Sequence, residues 1–255
     1  MLQILPPHYE TRRIGAAEIM PLSKARAVAL FKRLIRMGGH AKVAFANAHF
    51  LNVAAADAEF SAVLNQFTIL PDGLGVDLAS QLLYGKCFTA NLNGTDFIPF
   101  FLAAHGARLR IGLIGARPGI ADKAAAYLCA LTPQHEITAI SHGYFSPEEE
   151  TALLERLASA PPDVLLVAMG NPAQEKWIAR HITPAHARVV MGVGAFFDFV
   201  SQTVVRAPPR LRALRLEWVW RLVHEPRRLW RRYILGNPAF LLRVLRQKYF
   251  EPRGH

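Results

Sequence analysis

Three stretches in the second half of this chain are almost wholly apolar, and each runs into a glycine. They are Arg110–Ile114 (RIGLI) before Gly115, Asp163–Met169 (DVLLVAM) before Gly170, and Arg188–Val193 (RVVMGV) before Gly194. A strand with one solvated face alternates apolar and polar residues. Strands this uniformly apolar are buried on both faces, the condition of a parallel sheet sandwiched between helices. Helical patterns fill the gaps: one from the glycine turn at 115–119 through Leu131, Pro147–Ser159 behind a Ser-Pro cap, and Ala173–His181. Glu136–Ile140 supplies one more strand.

The first half follows the same alternation less clearly. Residues 1–20 read as a lead-in without a defined element. Ser23 caps a predicted helix through Arg36 that ends at Gly38-Gly39. Lys42–Ala46 and Phe67–Leu70 read as strands; Ala54–Gln66, Val76–Tyr84 and Thr95–His105 read as helices. The expected architecture is therefore α/β and Rossmann-like, a mainly parallel sheet with helices on both faces. In such sheets ligands lie beyond the C-terminal strand ends. That directs attention to Ala46-Asn47, Pro71–Gly75, Gly115–Gly119, Gly170–Glu175 and Gly194–Asp198.

The tail breaks the pattern. From Arg206 onward thirteen Lys and Arg stand against three Glu, which accounts for +10 of the formal +11 and leaves residues 1–205 nearly neutral. Three of the four Trp (Trp218, Trp220, Trp230) lie there too. Residues 1–205 are thus read as an α/β catalytic domain. Residues 206–255 are read as a basic helical appendage of two or three helices, with Leu211–His224 the first and Pro226 and Pro238 as interruptions. Charge alone allows anionic lipid, phosphate or nucleic acid as its partner. No uninterrupted apolar stretch reaches the roughly 18 residues of a membrane span, and no leader pattern is evident, so a cytosolic or membrane-peripheral protein is expected. Cys87 and Cys129 have no metal or redox spacing, and the ten His show no zinc pattern.

Four segments are candidates for chemistry, each with a plainer reading beside it. Asp72 in Pro71–Val76 (PDGLGV) follows a strand and could serve as a general base; it could equally cap a turn. Gly115–Gly119 before a helix forms a possible phosphate cradle, or a tight turn, and it is not the dinucleotide fingerprint. Gln174 and Glu175 at a helix start could read a base or sugar edge, although Glu is ordinary in a first turn. The aromatics of Gly192–Asp198 read as core.

Taken in order over roughly Ala41–Tyr233, these segments resemble the WecG/TagA/CpsF family of bacterial glycosyltransferases. The resemblance is carried by Asn47, the run 71–76, Gly94-Thr95-Asp96, Leu113-Ile114-Gly115 with Pro118-Gly119, and His142–Phe145. It continues through Gly170–Glu175, Gly192–Gly194 with Phe197–Phe199, Arg206-Ala207-Pro208, Glu217–Leu222 and Glu225-Pro226. It implies an inverting transferase, with no cofactor and no required metal, that moves a hexose or N-acetylhexosamine from a UDP-sugar to a polyprenyl-diphosphate-linked saccharide for cell-surface polysaccharide. It implies work at the cytoplasmic face of the inner membrane, with residues 206–255 on the anionic surface and homo-oligomerisation possible. Asp72 matches the proposed base. Asn47, Gly94, Thr95, Asp96, Gly115, Gly119, Gln174, Glu175 and Arg206 fall in substrate-binding blocks, and the spacing Arg221, Arg228, Arg231 matches a diphosphate-binding set. On one continuous helix, however, Arg221, Arg228 and Arg232 would share a face, with Arg231 about a quarter-turn away.

Three positions depart from the family pattern. Phe45 stands where Thr is usual, Ala90–Asn93 where an Arg is usual, and Gln202 where a Gly is usual. A Thr hydroxyl can hydrogen-bond a sugar and Phe cannot, so an exopolysaccharide-type hexosyl transfer, such as glucosyl, is expected in preference to N-acetylmannosaminyl transfer. Two rivals are a nucleic-acid-binding module using the tail and a non-catalytic nucleotide-sugar-binding protein. The interleaving of Trp and Leu with Arg favours an interfacial segment over nucleic acid.

Overall fold

A computed structural model describes residues 10–204, 206–208, 210–211 and 216–250. Eight strands form one sheet: β1 Arg12–Ile14, β2 Ala17–Ile19, β3 Ala41–Ala46, β4 Phe67–Pro71, β5 Arg110–Gly115, β6 Glu136–Ser141, β7 Val164–Ala168 and β8 Val189–Gly192. Their order across the sheet is β1-β2-β4-β3-β8-β7-β5-β6. Only β1 and β2 pair antiparallel; every other neighbouring pair is parallel. The chain steps outward from β3 to β4 on one side and from β5 to β6 on the other, with β8 and β7 between. The loops after β3 and β5 therefore diverge and leave a crevice at the C-terminal edge.

Both faces are covered. One carries α1 (Lys24–Arg36), α5 (Gly94–Ala104), α6 (Ile120–Leu131) and the short α9 (Phe196–Val200). The other carries α2 (Ala48–Ala56), α3 (Ala58–Val63), α4 (Leu74–Tyr84), α7 (Pro147–Ser159) and α8 (Ala173–His181). Successive strand residues alternate between the two cores. In β7, Val164, Leu166 and Ala168 join one core while Leu165 and Val167 join the other. This is why the sequence of β7 is apolar throughout.

The second half follows the sequence reading closely; the first half and the tail depart from it in several places. The lead-in contains the β1–β2 hairpin, pinned by Arg12, whose buried guanidinium donates to Ser80 Oγ (2.6 Å) and to the carbonyls of Lys86 and Cys87 (both 2.9 Å). The helix expected at Ala54–Gln66 is two helices and a 3-10 turn. Asn47 caps α2, and Asp57 stops it and caps α3, accepting from Phe60 N at 2.9 Å. The sequence of α2 hides its start because its outer side is also covered, by the C-terminal helix.

In the tail, α10 spans Glu217–His224 and α11 spans Pro226–Trp230; Pro226 opens α11 at a position where its missing N–H costs nothing. Leu211 is helical as expected, but Leu216 is not, so Leu211–His224 is not one continuous helix; residues 212–215 lie outside the described set. A π turn over Arg231–Leu235 then leads directly into α12, Gly236–Phe250. Pro238 does not interrupt: it lies in the first turn of α12, where the helical register has just changed from π to α.

The appendage lies on α2, α4 and the hairpin. Phe240 and Val244 of α12 enter the core beneath it. Asn52 Nδ2 donates to Gly236 O at 2.7 Å, Arg243 donates to Asn52 Oδ1 at 2.5 Å, and Gln247 exchanges hydrogen bonds with Gly15 N (2.9 Å) and Arg13 O (3.0 Å).

Candidate active site

Asp72 sits immediately after β4, where parallel pairing places it beside Asn47 at the end of β3. Its backbone N–H donates to Ala46 O at 2.9 Å, continuing the sheet by one bond. Asn47 Nδ2 donates to Asp72 Oδ2 at 3.0 Å, while Asn47 Oδ1 accepts from Phe50 N at 3.0 Å as the cap of α2. One amide thus starts a helix and orients the carboxylate. Asn91 Oδ1 holds the next residue, accepting from Gly73 N at 2.8 Å. Asp72 keeps a partial opening to solvent, but surrounding protein raises its pKa above the ordinary carboxylate value. The Asn47 hydrogen bond and the charges of Arg232 and Arg221 oppose that rise, and Asp96 adds to it.

A second cluster crosses from body to appendage. Arg206 donates to Asp96 Oδ1 at 2.5 Å, and its Nε lies 3.8 Å from Glu217 Oε1 at the start of α10. Asn93 caps α5 through Asp96 N (2.9 Å) and donates to Asp96 Oδ2 (3.0 Å). Burial raises the Glu217 pKa; Arg206 and Arg221 oppose this, while Asp96 and Asp72 reinforce it. Asp72, Asp96 and Glu217 therefore share one electrostatic neighbourhood with Arg206, Arg221 and Arg232. Buried Nε atoms on all three arginines lack a hydrogen-bond partner. Unpaired buried donors carry a desolvation cost that an incoming anion would relieve.

The glycine turn after β5 is tightly built. Gly115 has φ +129°, and a Cβ there would fall 2.3 Å from Ala168 O. Ala116 N donates to that same carbonyl at 2.7 Å. Gly119 precedes α6, whose N-terminus receives no side-chain cap. A cavity of about 310 Å³ opens there, between this turn and Ser141-His142 at the end of β6. A second, of about 390 Å³, lies between Arg117, Asp198 and the appendage residues Trp220, Arg221, Glu225 and Arg228. Burial raises the Asp198 pKa against the pull of Arg117, Arg228 and Arg221.

Gln174 and Glu175 are buried and engaged within the protein. Gln174 Oε1 accepts from Gly170 N (3.1 Å) and Gly194 N (3.0 Å), tying together the loops after β7 and β8. Glu175 Oε1 accepts from Asn171 Nδ2 (2.6 Å) and Gln174 Nε2 (2.7 Å), and its Oε2 is buried without a partner. Burial pushes Glu175 up to about 7. Gly94 is buried beneath the Phe45 ring, which lies 3.4 Å from where a Cβ would stand; Thr95 is half-buried on the first turn of α5.

The tail arginines separate. Arg221 points inward, 5.2 Å above the Phe199 ring. Arg228 is exposed, pairs with Glu225 at 2.6 Å and lines the larger cavity. Arg231 is exposed over Trp230, whereas Arg232 is half-buried and within electrostatic reach of Asp72. The resemblance pointed to Arg231; the helical period pointed to Arg232. Arg117 and Asp198 lie within segments singled out from the sequence but were not themselves named as site residues, and His49 lies in none of those segments. Of the tail aromatics, Trp230 is exposed, while Trp218 packs on Tyr233 (5.6 Å) and Trp220 on His224 (4.1 Å). Among the described residues no helix is long and apolar enough to cross a membrane.

Residues 12–254 match the family model described as Glycosyl transferase WecG/TagA/CpsF family. The chain is 33% identical over 212 residues to the N-acetylglucosaminyldiphosphoundecaprenol N-acetyl-beta-D-mannosaminyltransferase of Bacillus subtilis (strain 168), covering 82% of this chain and 80% of that protein. It is 33% identical over 206 residues to the enzyme of the same name from Bacillus spizizenii (79% and 77% covered). The counterpart from Staphylococcus aureus (strain MRSA252) is 30% identical over 205 residues (80% and 79% covered). The chain belongs to the WecG/TagA/CpsF glycosyltransferase family.

Proposed function

We propose, with that family membership as premise, that this glycosyltransferase moves a sugar from a UDP-sugar to a polyprenyl-diphosphate-linked saccharide, with inversion, in cell-surface polysaccharide synthesis. The observation that carries this reading is Asp72, oriented by Asn47 at the C-terminal edge of the sheet and faced from the appendage by Arg221 and Arg232. Base and cations act on one another electrostatically. In the reaction, the acceptor hydroxyl oxygen attacks the anomeric carbon and the bond from that carbon to the UDP oxygen breaks. UDP leaves with the bonding pair, and Asp72 takes the hydroxyl proton. A carboxyl whose pKa is raised by burial is better matched to that proton than an exposed one. The charge developing on UDP needs fixed donors or cations, which the N-terminus of α6 and the arginines can supply.

The donor pyrophosphate is assigned to the Gly115–Gly119 turn, where backbone N–H groups stand free of side-chain capping. The acceptor diphosphate is assigned to the arginine-lined cavity with Arg221 and Arg228. Gln174 and Glu175 serve the sugar site by fixing its loops. For the sugar itself, the relatives' names favour N-acetylmannosamine. Phe45 favours a hexose: its ring packs on Phe97 and against Gly94 and offers no hydroxyl to a donor. The enzyme would act at the cytoplasmic face of the membrane, reached through the exposed Trp230, Ile234, Leu235, Leu242 and Phe250 interleaved with basic residues.

The test is a screen of UDP-glucose, UDP-N-acetylglucosamine and UDP-N-acetylmannosamine against a synthetic polyprenyl-diphosphate-sugar acceptor, with the product identified by mass. Asp72→Asn is expected to lower turnover by about 10²- to 10⁴-fold with UDP affinity retained. Wild-type turnover of this variant would overturn the base assignment. A product carrying N-acetylmannosamine would overturn the hexosyl reading drawn from Phe45.

A further inference from the structure

We infer that Phe240, on the appendage helix α12, is a positioning residue for Asp72: its ring braces the first turns of α2 and α4 at the spacing that lets Asn47 orient the carboxylate. The inference rests on Asp72 as the base and adds a residue that acts on it from behind, through the two helices.

Those helices start side by side. Asn47 caps α2 and is followed by Ala48, its first residue; Asp72 is followed by Gly73 and the first turn of α4. A Cβ added to Gly75 would stand 3.1 Å from Ala48 Cβ and 3.9 Å from Ala48 N. The two turns therefore approach more closely than larger side chains would allow, and they need glycine at 75 and a small residue at 48. The site uses this approach. Asn47 Nδ2 reaches Asp72 Oδ2 at 3.0 Å while Asn47 Oδ1 accepts from Phe50 N at 3.0 Å. Moving the helix starts apart by about 0.5 Å would carry the Asn47–Asp72 contact to the limit of a hydrogen bond.

Phe240 lies against this junction. Its ring edge is 3.7 Å from the Cβ position on Gly75, and it is 3% exposed, in the core that also holds Ala46, Phe50 and Val76. The helix that carries it is held independently at both ends. Before Phe240, Asn52 Nδ2 donates to Gly236 O at 2.7 Å; after it, Gln247 exchanges hydrogen bonds with Gly15 N and Arg13 O. Val244, one turn further along α12, is 2% exposed in the same core but has no atom within 3.9 Å of the Gly75 position. Close-packed interiors transmit displacement rather than absorb it, and a truncated core side chain leaves a hole into which its neighbours relax in part. Without the ring, the starts of α2 and α4 gain room to shift, and Asn47 and Asp72 shift with them.

The measurement separates bracing from plain stability. Full-length variants are assayed well below their melting midpoints with a UDP-sugar and a synthetic polyprenyl-diphosphate-sugar acceptor. Phe240→Ala is expected to lower kcat by about tenfold or more while KM for the UDP-sugar stays within about twofold, the signature of a misplaced reacting group. Phe240→Leu refills most of the space and should restore most of kcat. Val244→Ala should lower the melting temperature and leave kcat near wild type. The acid limb of kcat/KM should move upward in Phe240→Ala, because the Asn47 hydrogen bond that favours the Asp72 carboxylate weakens; Arg232, Arg221 and Asp96, the charged groups that also act on Asp72, are unchanged. Wild-type kcat in Phe240→Ala, or an equal loss in Val244→Ala, overturns the inference. Should Phe240→Ala fail to fold, Gly75→Ala tests the junction from the body side, since its Cβ must push Ala48 away. It is expected to lower kcat and raise the acid limb, and no change in either would equally overturn the inference. Wild-type turnover of Asp72→Asn would instead count against the base assignment, whatever the Phe240 variants show.

Discussion

The body and the appendage solve opposite problems with similar residues. In the body, apolar side chains converge on a sheet from both sides: Phe31, Phe97 and Phe101 pack edge-to-face and stacked on one face, and Phe50 and Phe60 meet at 4.9 Å on the other. In the described appendage only Ala207, Leu229, Phe240 and Val244 are buried apolar residues, while Val223, Trp230, Ile234, Leu235, Leu242, Leu245, Tyr249 and Phe250 are exposed. The appendage is attached through a few inward residues and presents its remaining apolar surface outward. On the proposed function, that outward apolar surface is expected to meet the membrane.

The largest effect should come from removing one side of this comparison. A chain ending before Arg206 loses Arg221 and Arg232 and uncovers α2 and α4. It is expected to lose transfer to a polyprenyl-diphosphate acceptor altogether and to stop sedimenting with phosphatidylglycerol-containing vesicles. Full transfer to a short, soluble acceptor would show the appendage to be an anchor alone.

An intermediate effect belongs to the body. Glu175 has its pKa raised by burial from 4.5 to about 7. Between those values the unfolded chain has lost a proton that the folded protein keeps, so stability falls as pH rises through that window. Integrated, the loss is about 3 kcal/mol at most. Glu175→Gln should flatten this limb in thermal melts recorded from pH 4 to 8, and a limb of unchanged slope would assign it to other groups. Glu217, Asp72 and Asp198 are raised in the same direction, so a limb remaining in Glu175→Gln is expected to come from these carboxyls.

The smallest effect sharpens the contrast on the surface. Arg108 in the body and Arg231 in the appendage are both exposed, and Arg108 pairs with Glu136 at 3.1 Å. Arg108→Gln should change stability by no more than about 0.5 kcal/mol and leave vesicle binding alone. Arg231→Gln should also leave stability alone but weaken binding to anionic vesicles by about fivefold, the effect of one basic residue near a charged bilayer. Equal vesicle affinity for the two variants would remove the distinction between the surfaces.

Much of the body was legible because burial on two faces leaves a clear signature. Strands such as β7 must be apolar at every position, and Ser146 before Pro147 marks a helix start that the structure closes with a full capping box. The start of α2 was hidden because the helix is mostly apolar, its outer side being packed by α12, so that it lacks a clear amphipathic period. The β1–β2 hairpin escaped notice because three-residue strands are too short to show a period. Pro238 misled because a proline that follows a π turn does not end a helix. At the site, Asp72, Asn47 and the Gly115 turn could be named from strand ends and glycine spacing. Arg117 and Asp198 lie in segments the sequence singled out, but nothing there picked out their side chains, and His49 lies in no such segment.

The sequence by itself determined the α/β class, the strand ends on which the site is built, the segregation of charge into the last fifty residues and the family. Each of these depends on local periodicity, local composition or ordered motifs. Only the tertiary structure decided which tail arginines are covered and which exposed, that Gln174 and Glu175 are occupied in tying loops together, and that Arg206 spans Asp96 and Glu217. Those outcomes depend on how two surfaces far apart in sequence come into register. Adjacent in sequence, Arg231 ends up exposed over Trp230 while Arg232 is half-buried.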